Sequence, residues 1–289
     1  MMIDAMGAGQ LCGTGRGPMR VASKAMVGLA LVASVGLAGC GEAGEPSIMD
    51  KDTLVAGVRP DLPGIGLKRP DGAFEGFDVD VARQVGERLG KRVEFVQSFA
   101  ADRERLLLER RADLVLTFWV RPDWKLRLTF AGPYYPSYQD ILVRAGERAI
   151  RGVRDLKGRK ICAVKGAGAA DQVTKERGVA AEQVSAQDYD QCAAMLRSRS
   201  IDAITTNDTI LAGIKLRQGQ DFRLLNARFG EQRTGIGMRR GDPDGCEAVN
   251  KAITQMYQDG TMTKLMHKWF KGSGLDLSVI EVPEFEGCL

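Results

Sequence analysis

The chain has 289 residues, of which 41 are lysine or arginine and 37 are aspartate or glutamate, so its net charge at neutral pH is only +4. The basic and acidic residues are interleaved rather than clustered, which argues against a nucleic-acid partner. Hydrophobic residues make up 44% of the chain, enough for one large domain or two modest lobes with a real core.

The first predicted element is an amino-terminal leader. Two basic residues precede an apolar segment over residues 25–39, which ends in Leu-Ala-Gly before Cys40. This order is typical of a signal peptide with a lipobox, and a buried helix is the weaker alternative. The apolar segment is shorter than the roughly 20 residues that cross a bilayer. We expect residues 1–39 to be cleaved as a signal peptide and Cys40 to carry a lipid that anchors the protein on the extracytoplasmic face of the cell membrane.

An alternating series of strands and helices follows. Residues 40–52 are expected to form a lipidated tether, and ordered structure is expected to begin near Thr53. The predicted elements are a strand at 54–58, a helix at 79–89 that ends before Gly90, a strand at 92–96, a helix at 103–111 and a strand at 112–116. This alternation predicts an α/β lobe with a mainly parallel sheet.

A second alternating series occupies the later half of the chain. Its predicted elements are a strand at 160–164, helices at 171–175 and 191–197, a strand at 201–205 and a helix at 246–259. The composition of residues 139–143 and 234–238 indicates two strands that cross between lobes and form a hinge. We expect lobe 1 to comprise residues 53–143 and 237–289, and lobe 2 to comprise residues 144–236. A cleft between two such lobes is where a small ligand usually binds.

Four cysteines remain beyond the expected cleavage site: Cys162, Cys192, Cys246 and Cys288. An even number in an exported protein favours disulfides. Of the three possible pairings, we favour Cys162 with Cys192 and Cys246 with Cys288, because each pair then falls within one expected lobe. The sequence contains no Cys-x-x-Cys spacing and one histidine, His267, so neither a metal site nor another cofactor is predicted.

Several motifs in the chain match one known family. They include Gly-Phe-Asp-Val-Asp at 76–80, Phe-Ala-Gly-Pro-Tyr-Tyr at 130–135 and Asp-Gly-Thr at 259–261. With these motifs in order between residues 53 and 272, the chain resembles the type II periplasmic-type solute-binding proteins of ABC importers. It is most similar to the polar amino-acid class, in its glutamate- and glutamine-binding lipoprotein branch.

The resemblance implies a two-lobed receptor that closes over a small polar solute. It also implies a monomer that delivers the solute to the permease subunits of an importer and performs no chemistry on it. Two alternatives remain open at this point. One is a sensory receptor of the same fold that signals to a membrane partner, and the other is an enzyme on this fold, which is disfavoured because no nucleophile and base stand at plausible spacing.

The resemblance also implies which residues of lobe 1 meet the ligand. The family usually binds the α-carboxylate with an arginine at the position of Trp124, and Arg121 lies about one helical turn before it. Arg103 stands where binders of acidic amino acids hold the side-chain carboxylate. Trp119 is expected to stack on the ligand together with Trp124. The alternatives are surface charges for Arg103 and Arg121 and a packing role for Trp124.

In lobe 2 the resemblance implies two further contacts. Gly166, Ala167 and Gly168 form a loop whose backbone N–H groups can bind an anion. Asn207 stands at the position of the aspartate that binds the ligand's ammonium group in the family. Because these positions depart from the family's pattern, two ligand classes remain open: a glutamate-like amino acid, and a non-standard solute.

Overall fold

The structure is a computed structural model that describes residues 46–278 and 280–288. The expected signal peptide and the expected lipidation site, Cys40, lie outside these residues. Within the described residues, no helix has both the length and the hydrophobicity that crossing a membrane requires.

The described chain alternates strands and helices, as predicted. The strands are β1 (Thr53–Val58), β2 (Asp61–Leu62), β3 (Gly66–Lys68), β4 (Phe74–Glu75), β5 (Arg92–Gln97), β6 (Leu114–Trp119), β7 (Leu128–Arg144), β8 (Lys160–Val164), β9 (Glu182–Ala186), β10 (Ile204–Asn207), β11 (Phe222–Leu224) and β12 (Glu231–Arg239). The helices are α1 (Phe77–Arg88), α2 (Arg103–Leu108), α3 (Pro122–Lys125), α4 (Ala169–Asp171), α5 (Tyr189–Arg197), α6 (Asp208–Gln218), α7 (Pro243–Gln258) and α8 (Thr261–Phe270). A π-helical turn, Gln172–Glu176, continues α4.

Parallel strands form the interior of the fold on both sides of the hinge. β1 lies between β5 and β6 and is parallel to both, in a sheet with the order β10-β7-β12-β6-β1-β5. β8 and β9 form a second parallel pair. The fold class predicted from the sequence, α/β with mainly parallel sheets flanked by helices, is therefore confirmed.

Two long antiparallel strands connect the parallel regions. β7 pairs with β12 along residues 128–138 and with β10 and β11 along residues 139–144. β12 also pairs with β6. The two predicted crossing segments lie within β7 and β12, so these strands pass from the region of β1, β5 and β6 to the region of β8–β11.

Ordered structure begins earlier than the sequence indicated. A single 3₁₀ turn, Ile48–Asp50, precedes β1 and buries the side chain of Ile48. The carboxylate of Asp242, at the start of α7, accepts hydrogen bonds from the Ser47 hydroxyl at 2.7 Å and from the Ile48 amide at 2.8 Å. The expected start near Thr53 was wrong because it overlooked this anchoring.

Some element boundaries also differ from the prediction. The helix predicted over 103–111 ends at Leu108, because Arg110 adopts φ +58°, which no right-handed helix allows. The strand predicted over 201–205 is observed as β10, three residues later, where it lies opposite residues 139–142 of β7.

The aromatic motifs form the core. Phe77 packs edge to face on Tyr135 at 5.3 Å and contacts Phe270 at 5.6 Å, measured between ring centroids. Tyr134 and Tyr135 are completely buried. The tyrosines of the 130–135 motif therefore belong to the hydrophobic core.

Two disulfides are present, with the pairing that the sequence favoured. Cys162 on β8 is joined to Cys192 on α5. Cys246 on α7 is joined to Cys288, which lies in the last described part of the chain, residues 271–278 and 280–288. We name this segment the C-terminal strap.

The C-terminal strap crosses the hinge strands. The backbone N–H of Glu286 donates to the carbonyl of Gly132 in β7 at 2.7 Å, and its carboxylate forms an ion pair with Arg233 in β12 at 2.9 Å. Earlier in the strap, the carbonyl of Gly274 accepts a hydrogen bond from the Asn226 amide at 3.1 Å. The strap thus contacts both crossing strands and the loop before β12.

Candidate functional site

A small cavity lies where the ends of β1 and β6 meet the segments after β8 and β10. Its volume is about 30 Å³, which is room for about two water molecules. Ligands of open α/β sheets usually bind at the carboxyl ends of the strands. The lining residues are Arg59, Arg103, Thr117, Trp119, Ala167, Ala169, Tyr189, Thr206, Asn207, Ile210 and Thr234.

The predicted site residues divide between this cavity and an adjoining one. Those in the wall of the small cavity are Arg103, Trp119, Ala167 and Asn207. Those in the wall of the adjoining cavity, of about 340 Å³, are Arg121, Trp124, Gly166 and Gly168. The loop after β8 lines both cavities, and Arg103 in the wall of the first donates to the Gly166 carbonyl in the wall of the second, so we call the region of the two cavities the cleft.

Arg103, the first residue of α2, is a buried guanidinium, only 5% exposed. It donates hydrogen bonds to three backbone carbonyls, those of Ala100 at 3.0 Å, Thr117, and Gly166 at 3.4 Å. Burial and the charge of Arg59 lower its pKa to about 9, so it is still mostly charged at neutral pH. In the described part of the chain, no carboxylate forms an ion pair with it.

Arg59 is a second buried guanidinium in the same wall. It forms a bidentate ion pair with Asp61, with Nε–Oδ1 and Nη2–Oδ2 distances of 2.8 and 2.6 Å. The charge of Arg59 is therefore compensated, whereas that of Arg103 is not. The sequence analysis missed Arg59, although its place directly after the buried strand β1 was a usable signal.

Arg121 and Trp124 lie at the cleft but outside the small cavity. Arg121 forms an ion pair with Asp123 at 3.0 Å, and both side chains are exposed. Trp124 packs edge to face on Phe118, with ring centroids 4.7 Å apart, and Arg121 lies over its ring at 5.1 Å. Arg121 is thus a partly solvated cation and Trp124 packs against a neighbouring ring, while contact of either residue with a ligand stays a prediction.

Gly166 and Gly168 mark where the two walls of the cleft touch. Both adopt φ +75°, which favours glycine. A Cβ atom on Gly166 would lie 2.9 Å from the amide nitrogen of Ala101 on the opposite wall. A Cβ atom on Gly168 would lie 3.3 Å from the Arg121 guanidinium. The loop that contains both glycines is therefore positioned by close backbone approach.

Asn207, at the end of β10, links the cavity to the hinge. Its amide donates to the hydroxyls of Ser137 in β7 and Thr234 in β12, each at 3.1 Å. Nearby, the Tyr189 hydroxyl donates to Thr206 at 2.7 Å. The sequence analysis did not single out Thr206, Tyr189 or Thr234 for the site, because these contacts join residues far apart in the chain.

A carboxyl group lies buried directly behind the cavity. Asp78 in the first turn of α1 accepts hydrogen bonds from the Tyr134 hydroxyl at 2.8 Å and from the Thr117 hydroxyl. Burial raises the pKa of Asp78 to about 7, although both hydrogen bonds and the charge of Arg59 oppose the rise.

Comparison with known proteins identifies the family. Residues 54–272 match the model of the bacterial extracellular solute-binding proteins, family 3. The chain belongs to this family. The resemblance noted from the sequence motifs is thereby confirmed, and the family is one of binding proteins rather than enzymes.

The matches to individual relatives cover most of this chain and most of each relative. The glutamate-binding protein GluB of Corynebacterium glutamicum is 30% identical over 263 residues, covering 84% of this chain and 88% of the relative. The ABC transporter glutamine-binding protein GlnH of Bacillus subtilis is 28% identical, covering 84% of this chain and 95% of the relative. A solved ancestral arginine-binding protein bound to arginine superposes with a TM-score of 0.69 at 28% identity, covering 76% of this chain and 99% of that chain. This family 3 protein therefore has relatives that bind polar amino acids.

Proposed function

We propose that this family 3 protein is the lipid-anchored receptor of an ABC importer and that it captures a small anionic solute, most simply glutamate. The charge of Arg103 carries the proposal. A buried guanidinium without a carboxylate partner is costly to desolvate, and an incoming carboxylate compensates it. The name of the relative GluB supports the same ligand class.

Binding of such a solute requires the cleft to open and close. A cavity of about 30 Å³ is too small for an amino acid, so the walls must separate before the ligand enters. We infer that lobe 1, residues 53–143 and 237–289, and lobe 2, residues 144–236, move about β7 and β12. A ligand that contacts both lobes then stabilises the closed state.

The remaining parts of the proposal concern location and partners. Cleavage before Cys40 and lipidation of its thiol would hold the protein at the extracytoplasmic membrane face, where it would act as a monomer on the permease subunits. Acyl labelling of the wild type and of Cys40→Ala in cells tests this part. A label that persists in the variant contradicts it.

The ligand is tested by calorimetry with glutamate, aspartate, glutamine and arginine. We expect the two acidic amino acids to bind more tightly than glutamine, and arginine to be rejected because it adds charge beside Arg59 and Arg103. Arg103→Ala should weaken glutamate binding by at least about tenfold, since a hydrogen bond to a charged group contributes about 1.5–3 kcal/mol.

Two further variants control for position and charge. Arg105→Ala removes an exposed arginine two residues away on α2 and should leave affinity unchanged. Arg121→Ala removes the partly solvated cation at the cleft and should weaken binding less than Arg103→Ala does. Tighter binding of arginine than of glutamate, or unchanged glutamate affinity in Arg103→Ala, would overturn the proposed ligand class.

A further inference from the structure

Thr117 has an unusual backbone conformation for its residue type. Its φ is +52°, a region that β-branched residues rarely enter. It lies at a β-bulge: Phe118 pairs with Gly235 and Val115 with Gly237, so Leu116 and Thr117 lie opposite the single residue Ile236. Bulges and strained residues of this kind often reorient groups beside a binding site.

Two buried side chains hold Thr117 in this conformation. The Thr117 amide donates to the Tyr134 hydroxyl at 3.1 Å, and that hydroxyl donates to Asp78 at 2.8 Å. The Thr117 hydroxyl donates to the other carboxylate oxygen of Asp78. Tyr134 and Asp78 are 0% exposed, so these bonds are shielded from water.

This conformation directs the Thr117 carbonyl toward the guanidinium of Arg103, which has no carboxylate partner among the described residues. The carbonyl of Thr117 accepts a hydrogen bond from Nη1 of Arg103, while the carbonyl of Ala100 accepts from Nε. The third acceptor, Gly166, lies on the opposite wall of the cleft. On its own wall, the rings of Phe118 and Trp124 lie against the guanidinium at 5.0 and 5.5 Å, and the Thr117 carbonyl is the hydrogen-bond acceptor that orients Nη1.

We propose that Asp78 and Tyr134 are positioning residues that hold Thr117 in its left-handed conformation, so that the Thr117 carbonyl orients Arg103 for an anionic ligand. The orientation of Arg103 is independent of which ligand binds. Its use for an anion rests on the proposed function.

The orientation is tested first without ligand, by ¹⁵N NMR of the arginine side chains in the full mature protein. Arg103→Lys assigns the signals. We expect restrained Nη signals for Arg103 in the wild type and in Thr117→Ser, which keeps the hydroxyl. Thr117→Val has the same shape but cannot donate to Asp78, and it should show averaged Nη signals.

A matched control is Thr129→Val, which makes the same change at another buried threonine, in β7. It should leave the Arg103 signals unchanged, and circular dichroism should show all variants folded. Restrained Arg103 signals in folded Thr117→Val would overturn the proposal. If Thr117→Val fails to fold, the Arg103 Nη signals are measured in Asp78→Asn instead. Averaged signals are then the expected result, and restrained signals overturn the proposal.

The second measurement is discrimination between glutamate and glutamine. A misplaced guanidinium should reduce the ratio of their affinities by about tenfold in Thr117→Val, as expected for a charge-assisted hydrogen bond, with recovery in Thr117→Ser. A purely structural defect would weaken both ligands equally and leave the ratio unchanged. If the wild type binds neither amino acid, the proposed ligand class fails and the NMR comparison alone decides the positioning role.

Discussion

At the scale of single residues, the cleft combines compensated and uncompensated charges in a small volume. Arg59 is paired with Asp61. Arg103 has carbonyl and aromatic partners but no carboxylate partner among the described residues, and Asp78 is buried behind them. The groups that face Asp78 are Thr117, Tyr134, Arg59 and Tyr135; burial first, and then the charge of Asp78, raises the pKa of Tyr135. Protonation of this one carboxyl group should therefore change both stability and the field in the cavity.

Asp78 should make the protein less stable as the pH rises from about 4 to 7. Its pKa is near 3.8 in the unfolded chain and about 7 in the folded protein, so the folded state binds more protons in this window. Below this pH window Asp78 is protonated in both the folded and the unfolded state. Above it, the folded state bears the full cost of burying the charged carboxylate. We expect the difference in unfolding free energy between wild type and Asp78→Asn to change across this window, as measured by urea denaturation. A pH-independent difference would contradict the assignment.

The site could be predicted only in part from the sequence. Arg103 was found through the position it shares with the family. Arg59 was missed because it precedes Pro60 and Asp61, which resemble an exposed turn. Asn207 was expected to meet a ligand, but its contacts to Ser137 and Thr234 depend on a register that sequence does not reveal.

At the scale of elements, the C-terminal strap differs from the expected α/β pattern, because its described residues form neither a helix nor a strand. Glu286 is only 8% exposed and pairs with both Arg233 and Lys125, at 2.9 and 2.6 Å. The disulfide from Cys288 to Cys246 then ties this segment to α7. The strap is held covalently at one point and by charge at another.

Replacing Cys246 and Cys288 together by serine should lower the free energy of unfolding by about 2–4 kcal/mol. Without the disulfide, the unfolded chain gains the conformational entropy that the closed loop had restricted. Denaturant titrations in the absence of reductant measure the change. The Cys162→Ser, Cys192→Ser double variant opens a loop of similar length and serves as the comparison. An unchanged midpoint for the first pair would show that the strap is held without its disulfide.

The lengths of the strands were harder to predict than their existence. β7 runs over 17 residues, yet only residues 139–143 were predicted as a strand, since Gly132 and Pro133 usually interrupt one. The pairing with β12 breaks at these residues and resumes beyond them: Ala131 pairs with Ile236 and Tyr135 with Thr234, so residues 132–134 lie opposite Gly235. Long-range pairing thus outweighed a local signal against the strand.

At the scale of the whole molecule, the two walls of the cleft are in close backbone contact at Gly166. This glycine has φ +75°, and its missing side chain leaves room for Ala101. Gly178 has a similar φ of +64°, but a Cβ there would meet nothing within 4 Å. Gly166 and Gly178 therefore share a left-handed backbone conformation but differ in what a side chain at each position would contact.

Gly178→Ala should lower stability by about 1 kcal/mol, since it forces alanine into a left-handed conformation, and Gly166→Ala should lower it further, because its methyl group would also meet the backbone of Ala101. Only Gly166→Ala should weaken ligand binding, because its methyl group obstructs closure. Calorimetry measures the affinity, and small-angle scattering with and without ligand measures the compaction. Equal affinity in both variants would indicate that the cleft need not close at this point.

The disulfide between Cys246 and Cys288 also makes a covalent ring that contains α8 and the strap. Glu281 and Val282 are exposed along this ring, within reach of an added protease. A single peptide bond cut there would leave both fragments linked through sulfur and held by the ion pairs of Glu286. A nicked molecule would thus remain one molecule.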